Sequence, residues 1–275
     1  MLFTFRLGQQ PLRLRIQCVL LALVVCLPVG AAGAVESNKN FIVFVSDDAP
    51  PDFAAQVLAH AEKFRQDIAI EWFGGALPPS VGRSVVNVKL SRQEDKGLTW
   101  AIDDPRRTLH TVYLNTSAEN ALGSTLQHEI AHVVMATHFP QPNRLPTWLE
   151  EGVASRYDND ERRGRRDDVM NWLTRTGNWP ELRRVLDAPS INANDELSYS
   201  VASSLVKYLL TQGDKKQLLQ FAAFGQRNGW DRAVNRSYQF ANVDKLQTSW
   251  QIWVSEQNTL AQVEQPGVVN LPRNQ

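Results

Sequence analysis

The N-terminal half of the chain contains short apolar runs with polar ends, which predict β-strands. Phe41–Val45 is such a run and is rich in β-branched and aromatic residues. Apolar and polar positions alternate at 85–90 and 109–114, and more weakly at 98–102, so each segment predicts another strand. Helical spacing of apolar residues over 53–68 predicts a helix among these strands. We therefore expect an N-terminal lobe made of a small mixed sheet with helices.

The C-terminal half has the spacing of helices instead. From Val169 onward the apolar periodicity is helical, and strand signals nearly vanish. The last helix is predicted over 243–257, and the polar residues 263–275 are predicted to be a disordered tail. The charged stretch 158–168 is predicted to be a solvated loop or a helix end. A sheet lobe followed by a helical lobe indicates the α+β class.

The first 34 residues have the pattern of a secretory signal peptide. They contain three arginines and no acidic residue, then an apolar run over 18–27 and an A-x-A cleavage site at 32–34. The apolar run is too short for a comfortable transmembrane span. Contact with a membrane is therefore expected only if this leader stays uncleaved. We expect a periplasmic or secreted protein with a single domain over 35–262.

Loss of the leader would remove both cysteines and three positive charges. The full chain has 29 basic and 29 acidic residues, so 26 basic residues would remain, with a net charge of −3. Such a balance does not favour a nucleic-acid or anionic-membrane partner, and we expect neither. Without cysteine, the mature chain carries no sign of its redox compartment.

The pentapeptide at 128–132, His-Glu-Ile-Ala-His, is the strongest chemical signal in the chain. Apolar residues surround it at helical spacing, Ser117 is a candidate N-cap, and prolines from position 140 end the helix. Histidines four positions apart share one helix face and can bind one tetrahedral metal ion, with Glu129 close enough to take a proton from a water on that ion. The alternative is a surface helix that merely carries these residues. A buried helix needs partners for its histidines, which favours the metal site.

A catalytic zinc site needs a third protein ligand, and two residues compete for this place. His138 lies six positions after His132, where a metzincin has its third histidine, but the glycine which that pattern requires is a methionine here. If the helix continues, His138 lies about 9 Å further along the axis and on another face. The competitor is Glu151, on a second helix predicted to begin at Thr147. A capping box from Thr147 to Glu150 would occupy Glu150 and leave Glu151 free.

In two segments the chain resembles the gluzincin zinc metallopeptidases. His128-Glu129-x-x-His132 is followed after eighteen residues by Glu151, and residues 148–154, Trp-Leu-Glu-Glu-Gly-Val-Ala, are similar to the W-L-x-E-G-x-A signature of peptidase MA-like domains. The resemblance implies a zincin-like fold in which His128, His132 and Glu151 bind one Zn²⁺. It also implies that Glu129 is the general base and that the substrate is a peptide or protein.

The resemblance also directs attention to residues outside the two motifs. It implies a downstream tyrosine that donates to the oxyanion, and Tyr199 matches that position, with a core tyrosine as the alternative. Ser155 could orient a histidine ligand, although relatives use an acidic residue for this task. The strand at 98–102 could be an edge that pairs with substrate, but it lacks the G-x-M-E-N motif of aminopeptidases, so aminopeptidase specificity is not expected. We expect His60 and His110 to be structural.

Two functions from different classes follow from these observations. The first is an exported zinc metallopeptidase with Glu129 as its general base. The second is a cell-envelope interaction protein that keeps the metal as a structural staple and hydrolyses nothing. Glu129 favours the first, because a structural zinc site has no use for a base beside an open coordination position. The absence of a substrate-recognition motif favours the second.

Overall fold

The structure is a computed structural model that describes residues 33–77, 82–104, 107–192 and 194–264. The predicted leader and the predicted tail lie almost entirely outside these residues. Within the described ranges, no helix has both the length and the apolar character that crossing a bilayer requires.

Five strands of the described chain form one mixed sheet in the order β1-β2-β3-β5-β4. They are β1 (Val35–Ser37), β2 (Phe41–Val45), β3 (Ser84–Leu90), β4 (Lys96–Asp104) and β5 (Arg107–Thr116). β2, β3 and β5 run parallel, whereas β1 and β4 pair antiparallel with β2 and β5. The weakest of the predicted strands is therefore an edge strand of the sheet.

The period of two in the strands gives the sheet one covered face and one open face. Val43, Val86 and Val112 are fully buried on the covered face, whereas Leu98 and Tyr113 are exposed on the other. Two helices lie against the covered face, α1 (Phe53–Phe73) and, beyond α2 (Ala118–Ala121), α3 (Ser124–His138). α1 packs against β2 and α3, and α3 packs against β4 and β5. The helix with the two histidines is therefore held beside the edge of the sheet.

The rest of the described chain is helical. It comprises α4 (Thr147–Ala154), a 3₁₀ turn (Ser155–Tyr157), α5 (Asp160–Thr176), α6 (Leu182–Leu186), α7 (Glu196–Gln212), α8 (Lys215–Asn228), α9 (Trp230–Tyr238) and α10 (Val243–Glu264). α10 continues past its predicted end at residue 257. A small mixed sheet followed by helices confirms the predicted α+β class.

The caps of two helices differ from the predictions, although α4 begins at Thr147 as predicted. Ser117 is an N-cap, since its hydroxyl accepts the Asn120 N–H at 3.2 Å, but it caps the short α2, and α3 begins only after Gly123. The capping box at Thr147 was wrong. Pro146 is the N-cap of α4 without a side-chain bond, and the Thr147 hydroxyl instead donates to the Pro189 carbonyl at 3.0 Å.

Gly152 lets α4 lie directly against α7. A Cβ at this position would come within 2.5 Å of the Val206 side chain and 2.7 Å of the Ala202 carbonyl oxygen. Both contacts belong to packed helix atoms, so a larger residue would push the helices apart. The glycine thereby fixes the position of Glu151, its neighbour in the chain.

Candidate metal centre

α3 and α4 bring three metal-binding side chains together. His128 and His132 lie one turn apart on α3, with ring centroids separated by 5.1 Å. Glu151 Oε2 on α4 lies 3.8 Å from His128 Nε2 and 3.5 Å from His132 Nε2. One ligand atom from each of the three residues lies within 4.8 Å of the other two. This group could bind a metal ion.

The spacing of these donor atoms suits a small divalent cation. Two ligands at about 2.0–2.1 Å from a tetrahedral ion lie about 3.3 Å apart, close to the separations of 3.5 and 3.8 Å between Glu151 and the two histidines. Glu151 Oε2 is also buried, and no group in the described chain meets it with hydrogen-bond geometry. A buried carboxylate oxygen needs a partner, and a cation between the three side chains would supply one.

The pKa values of Glu151 and His132 also show that the buried carboxylate is paired with positive charge. Burial raises the pKa of Glu151, but the adjacent imidazoles of His132 and His128 and the charge of Arg166 outweigh burial and lower it overall. Burial lowers the pKa of His132, yet the carboxylates of Glu151 and Glu129 outweigh this effect and raise it to about 9. In the absence of a metal ion, a proton on His132 therefore neutralises the carboxylate that a cation would neutralise.

Asp158 orients the first histidine, and the sequence reasoning missed it. Its Oδ1 lies 3.0 Å from His128 Nδ1, which leaves Nε2 of that ring directed at Glu151. A histidine that binds a metal usually donates its second N–H to such a carboxylate. Ser155, the residue predicted for this task, is buried with no hydrogen-bond partner for its hydroxyl in the described chain. The prediction for Ser155 was therefore wrong, and an acidic residue takes the position.

Two arginines of α5 hold Asp158 in place. Arg166 binds Asp158 Oδ2, and Arg162 lies 3.3 Å from Oδ1. Arg162 also donates to the backbone carbonyl of Asp95 at 2.6 Å, at the start of the edge strand. Burial raises the pKa of Asp158, but His128 and Arg166 outweigh it and hold that pKa far below its usual range. Residues 160–168 form the start of α5, as the helix-end alternative predicted, but the stretch is not wholly solvated, because Asp158 and Arg166 are buried.

Glu129 contacts the edge strand β4 next to the group of His128, His132 and Glu151. Only 4% of the residue is exposed, and the Thr99 hydroxyl of β4 donates to Glu129 Oε2 at 2.6 Å. Gly97, two positions earlier on β4, lies against the same carboxylate. The negative charge of Glu129 contributes to the raised pKa of His132, so the carboxylate lies within electrostatic range of the group.

Tyr199 of α7 is half-buried and lies within electrostatic range of Glu151 and Glu129. Burial raises its pKa, and the nearby negative charges of Glu151 and Glu129 raise it further. The guanidinium of Arg166 lies 5.9 Å from the centre of its ring. The hydroxyl therefore keeps its proton at neutral pH and can act as a donor beside the carboxylates.

The remaining histidines lie away from the three-residue group. His138 is the last residue of α3 and stacks on Phe73 with ring centroids 3.7 Å apart. His60 on α1 makes an edge contact with Phe64, and His110 is buried in β5. The structure thus brings Glu151, and not His138, to the histidine pair.

The part of the chain that contains α3, α4 and α7 matches a known protein family. The family model of the Peptidase MA superfamily matches residues 110–256, which is more than half of the chain. No curated protein matches the chain.

Proposed function

Since the chain belongs to the Peptidase MA superfamily, we propose that it is a zinc-dependent metallopeptidase of the gluzincin type. The observation that carries this proposal is the group of His128, His132 and Glu151 with the carboxylate of Glu129 beside it. Peptidases act on peptides or proteins, so membership of this superfamily supports a peptide or protein as the substrate. The spacing and chemistry of the donor atoms favour Zn²⁺ as the ion.

Each residue around the centre has a role in peptide hydrolysis. A zinc ion held by the three ligands would lower the pKa of water towards 7 and polarise the scissile carbonyl. Glu129 takes the proton of the attacking water and later delivers it to the leaving amine. Tyr199 donates its hydroxyl proton in a hydrogen bond to the oxyanion of the tetrahedral intermediate. Asp158 keeps the His128 ring in the orientation that leaves Nε2 free.

The edge strand supplies a place for the substrate backbone. Among the strands of the described residues β4 pairs with β5 alone, so its other side can pair with an extended peptide. Gly97 and Thr99 of β4 lie against Glu129, so a peptide on this strand would pass close to the base. We further propose export to the periplasm or the exterior, on the basis of the signal-peptide pattern of residues 1–34.

The test combines zinc analysis with cleavage of a mixed peptide library by the purified exported protein. We expect one zinc per chain, and new peptide termini detected by mass spectrometry that disappear with a zinc chelator and return on addition of Zn²⁺. A non-chelating isomer of the chelator serves as the control. One bound zinc without cleavage would support the non-catalytic envelope protein instead. Cleavage that survives removal of the metal would contradict the proposed mechanism.

A further inference from the structure

Two residues of the edge strand contact the general base. The period of two along β4 turns Gly97 and Thr99 towards α3, while Leu98 and Trp100 lie on the open face of the sheet. The Thr99 hydroxyl donates to Glu129 Oε2 at 2.6 Å, and the backbone carbonyl of Glu129 lies 3.4 Å from the same hydroxyl. The carboxylate is the nearer of the two acceptors, at a distance typical of a charge-assisted bond.

Gly97 provides the space for the other carboxylate oxygen. A Cβ at this position would lie 2.2 Å from Glu129 Oε1 and 2.7 Å from its carboxyl carbon. The φ angle of Gly97 is not positive, so backbone conformation does not require glycine here. Glycine weakens the interior of a strand and often marks a site where another group approaches closely. The close approach here is the side chain of Glu129.

We propose that Thr99 and Gly97 are positioning residues that fix the carboxylate of Glu129 for catalysis. The inference rests on the proposed function, in which Glu129 is the base. Thr99 holds one oxygen by a hydrogen bond, and Gly97 leaves room for the other oxygen against the strand. A glutamate has three side-chain torsions, so without this hold the carboxylate would spend less time in the orientation that accepts the proton. The same strand would carry the substrate, so one element aligns both reactants.

The first test uses Thr99→Val, which keeps the shape of the side chain and removes the hydroxyl. Loss of a hydrogen bond to a charged group should lower kcat by about tenfold to a hundredfold, with KM and zinc content unchanged. Thr99→Ser restores the hydroxyl, and its kcat should return to within about threefold of the original value. The matched control is Thr111→Val, on the open face of the neighbouring strand β5, which should leave kcat unchanged.

The second test uses Gly97→Ala, which should displace the flexible end of Glu129 rather than disturb packed backbone. We expect kcat to fall at least tenfold while the zinc content stays at one per chain. Gly164→Ala on the exposed surface of α5, where an added methyl meets nothing within 4 Å, is the control. A purely structural role for Gly97 would lower the melting temperature and leave kcat per zinc unchanged.

A crystal structure of each zinc-loaded variant gives a readout that is independent of activity. We expect the Glu129 carboxylate to be displaced by about 1 Å or more in Gly97→Ala and to lose its fixed orientation in Thr99→Val. Unchanged kcat in both variants, with the carboxylate in its original place, would overturn the inference. If the wild-type protein binds zinc but cleaves no peptide, the proposed function fails, and the carboxylate positions alone decide whether the two residues hold Glu129.

Discussion

Asp158→Asn tests what the negative charge of Asp158 contributes to the candidate metal centre, because the shape of the side chain is kept. Asparagine keeps an oxygen that can accept from His128 Nδ1, but it removes the negative charge that faces His128, Arg162 and Arg166. The amide would also present N–H donors to an arginine that has only donors. We therefore expect two separate losses, one in zinc affinity and one in the stability of the metal-free protein.

The expected magnitudes follow from the burial of the pair. Outer partners of metal-binding histidines are worth about tenfold to a hundredfold in metal affinity, or about 1.4–2.8 kcal/mol. The Asp158 side chain is fully buried and that of Arg166 is 9% exposed, so removing one charge of the pair should cost about 3–5 kcal/mol of unfolding free energy. The loss of affinity reflects the His128 contact, and the loss of stability reflects the arginines.

Competition with a chromophoric chelator measures the zinc affinity, and denaturant unfolding of the metal-free protein measures the stability. Asp168→Asn is the matched control, because it makes the same change at an exposed position of α5. The control should shift stability by less than about 0.5 kcal/mol and leave zinc affinity unchanged. A zinc Kd in Asp158→Asn within threefold of the wild-type value would refute a role of the Asp158 charge in holding His128 for the metal.

Three further predictions concern the ligands and the proposed oxyanion donor. Glu151→Ala should lose bound zinc in metal analysis and His138→Ala should retain it, and the reverse result would return His138 to the site. In the metal-free protein the pKa of His132 is raised to about 9, above its unfolded value of about 6.5, so His132 stabilises the fold fully below pH 6.5. This contribution is lost as pH rises to 9, so the melting temperature should fall over that window, and a temperature unchanged across it would contradict the ion pair. Tyr199→Phe should lower kcat by about a hundredfold to a thousandfold with zinc still bound, whereas a change below threefold would make Tyr199 a packing residue.

The sequence predicted the fold wherever local periodicity carries the information. β3 and β5 have buried and exposed faces that appear as alternation, and β2 is a short run of β-branched and aromatic residues, so these three strands were predicted. β1 has three residues, too few for a period to be visible. The start of α4 was predicted at Thr147 for the wrong reason, because a proline can hold the extended N-cap conformation without any side-chain bond. The type of each element was therefore easier to predict than the side-chain contacts that cap its first residues.

The outer contacts of the candidate site could not be read from local pattern. Asp158 meets His128, and Thr99 meets Glu129, in each case across thirty positions of the chain. Asp158 stands at the start of a run of charges, and composition cannot show which charge of such a run turns inward. One signal was present: a metal-binding histidine needs an acceptor for its second N–H, and Asp158 is an acidic residue just beyond Glu151. Whether the three inner residues bind zinc stays a prediction.

Glu129→Gln tests the central claim most directly, since it keeps the shape of the side chain and removes the base. The measurement is the rate of peptide cleavage per bound zinc in the wild-type and variant proteins. We predict one zinc per chain in both proteins, with turnover in the variant reduced by at least about a hundredfold. Turnover that survives in the zinc-loaded variant would contradict the assignment of Glu129 and the mechanism built on it.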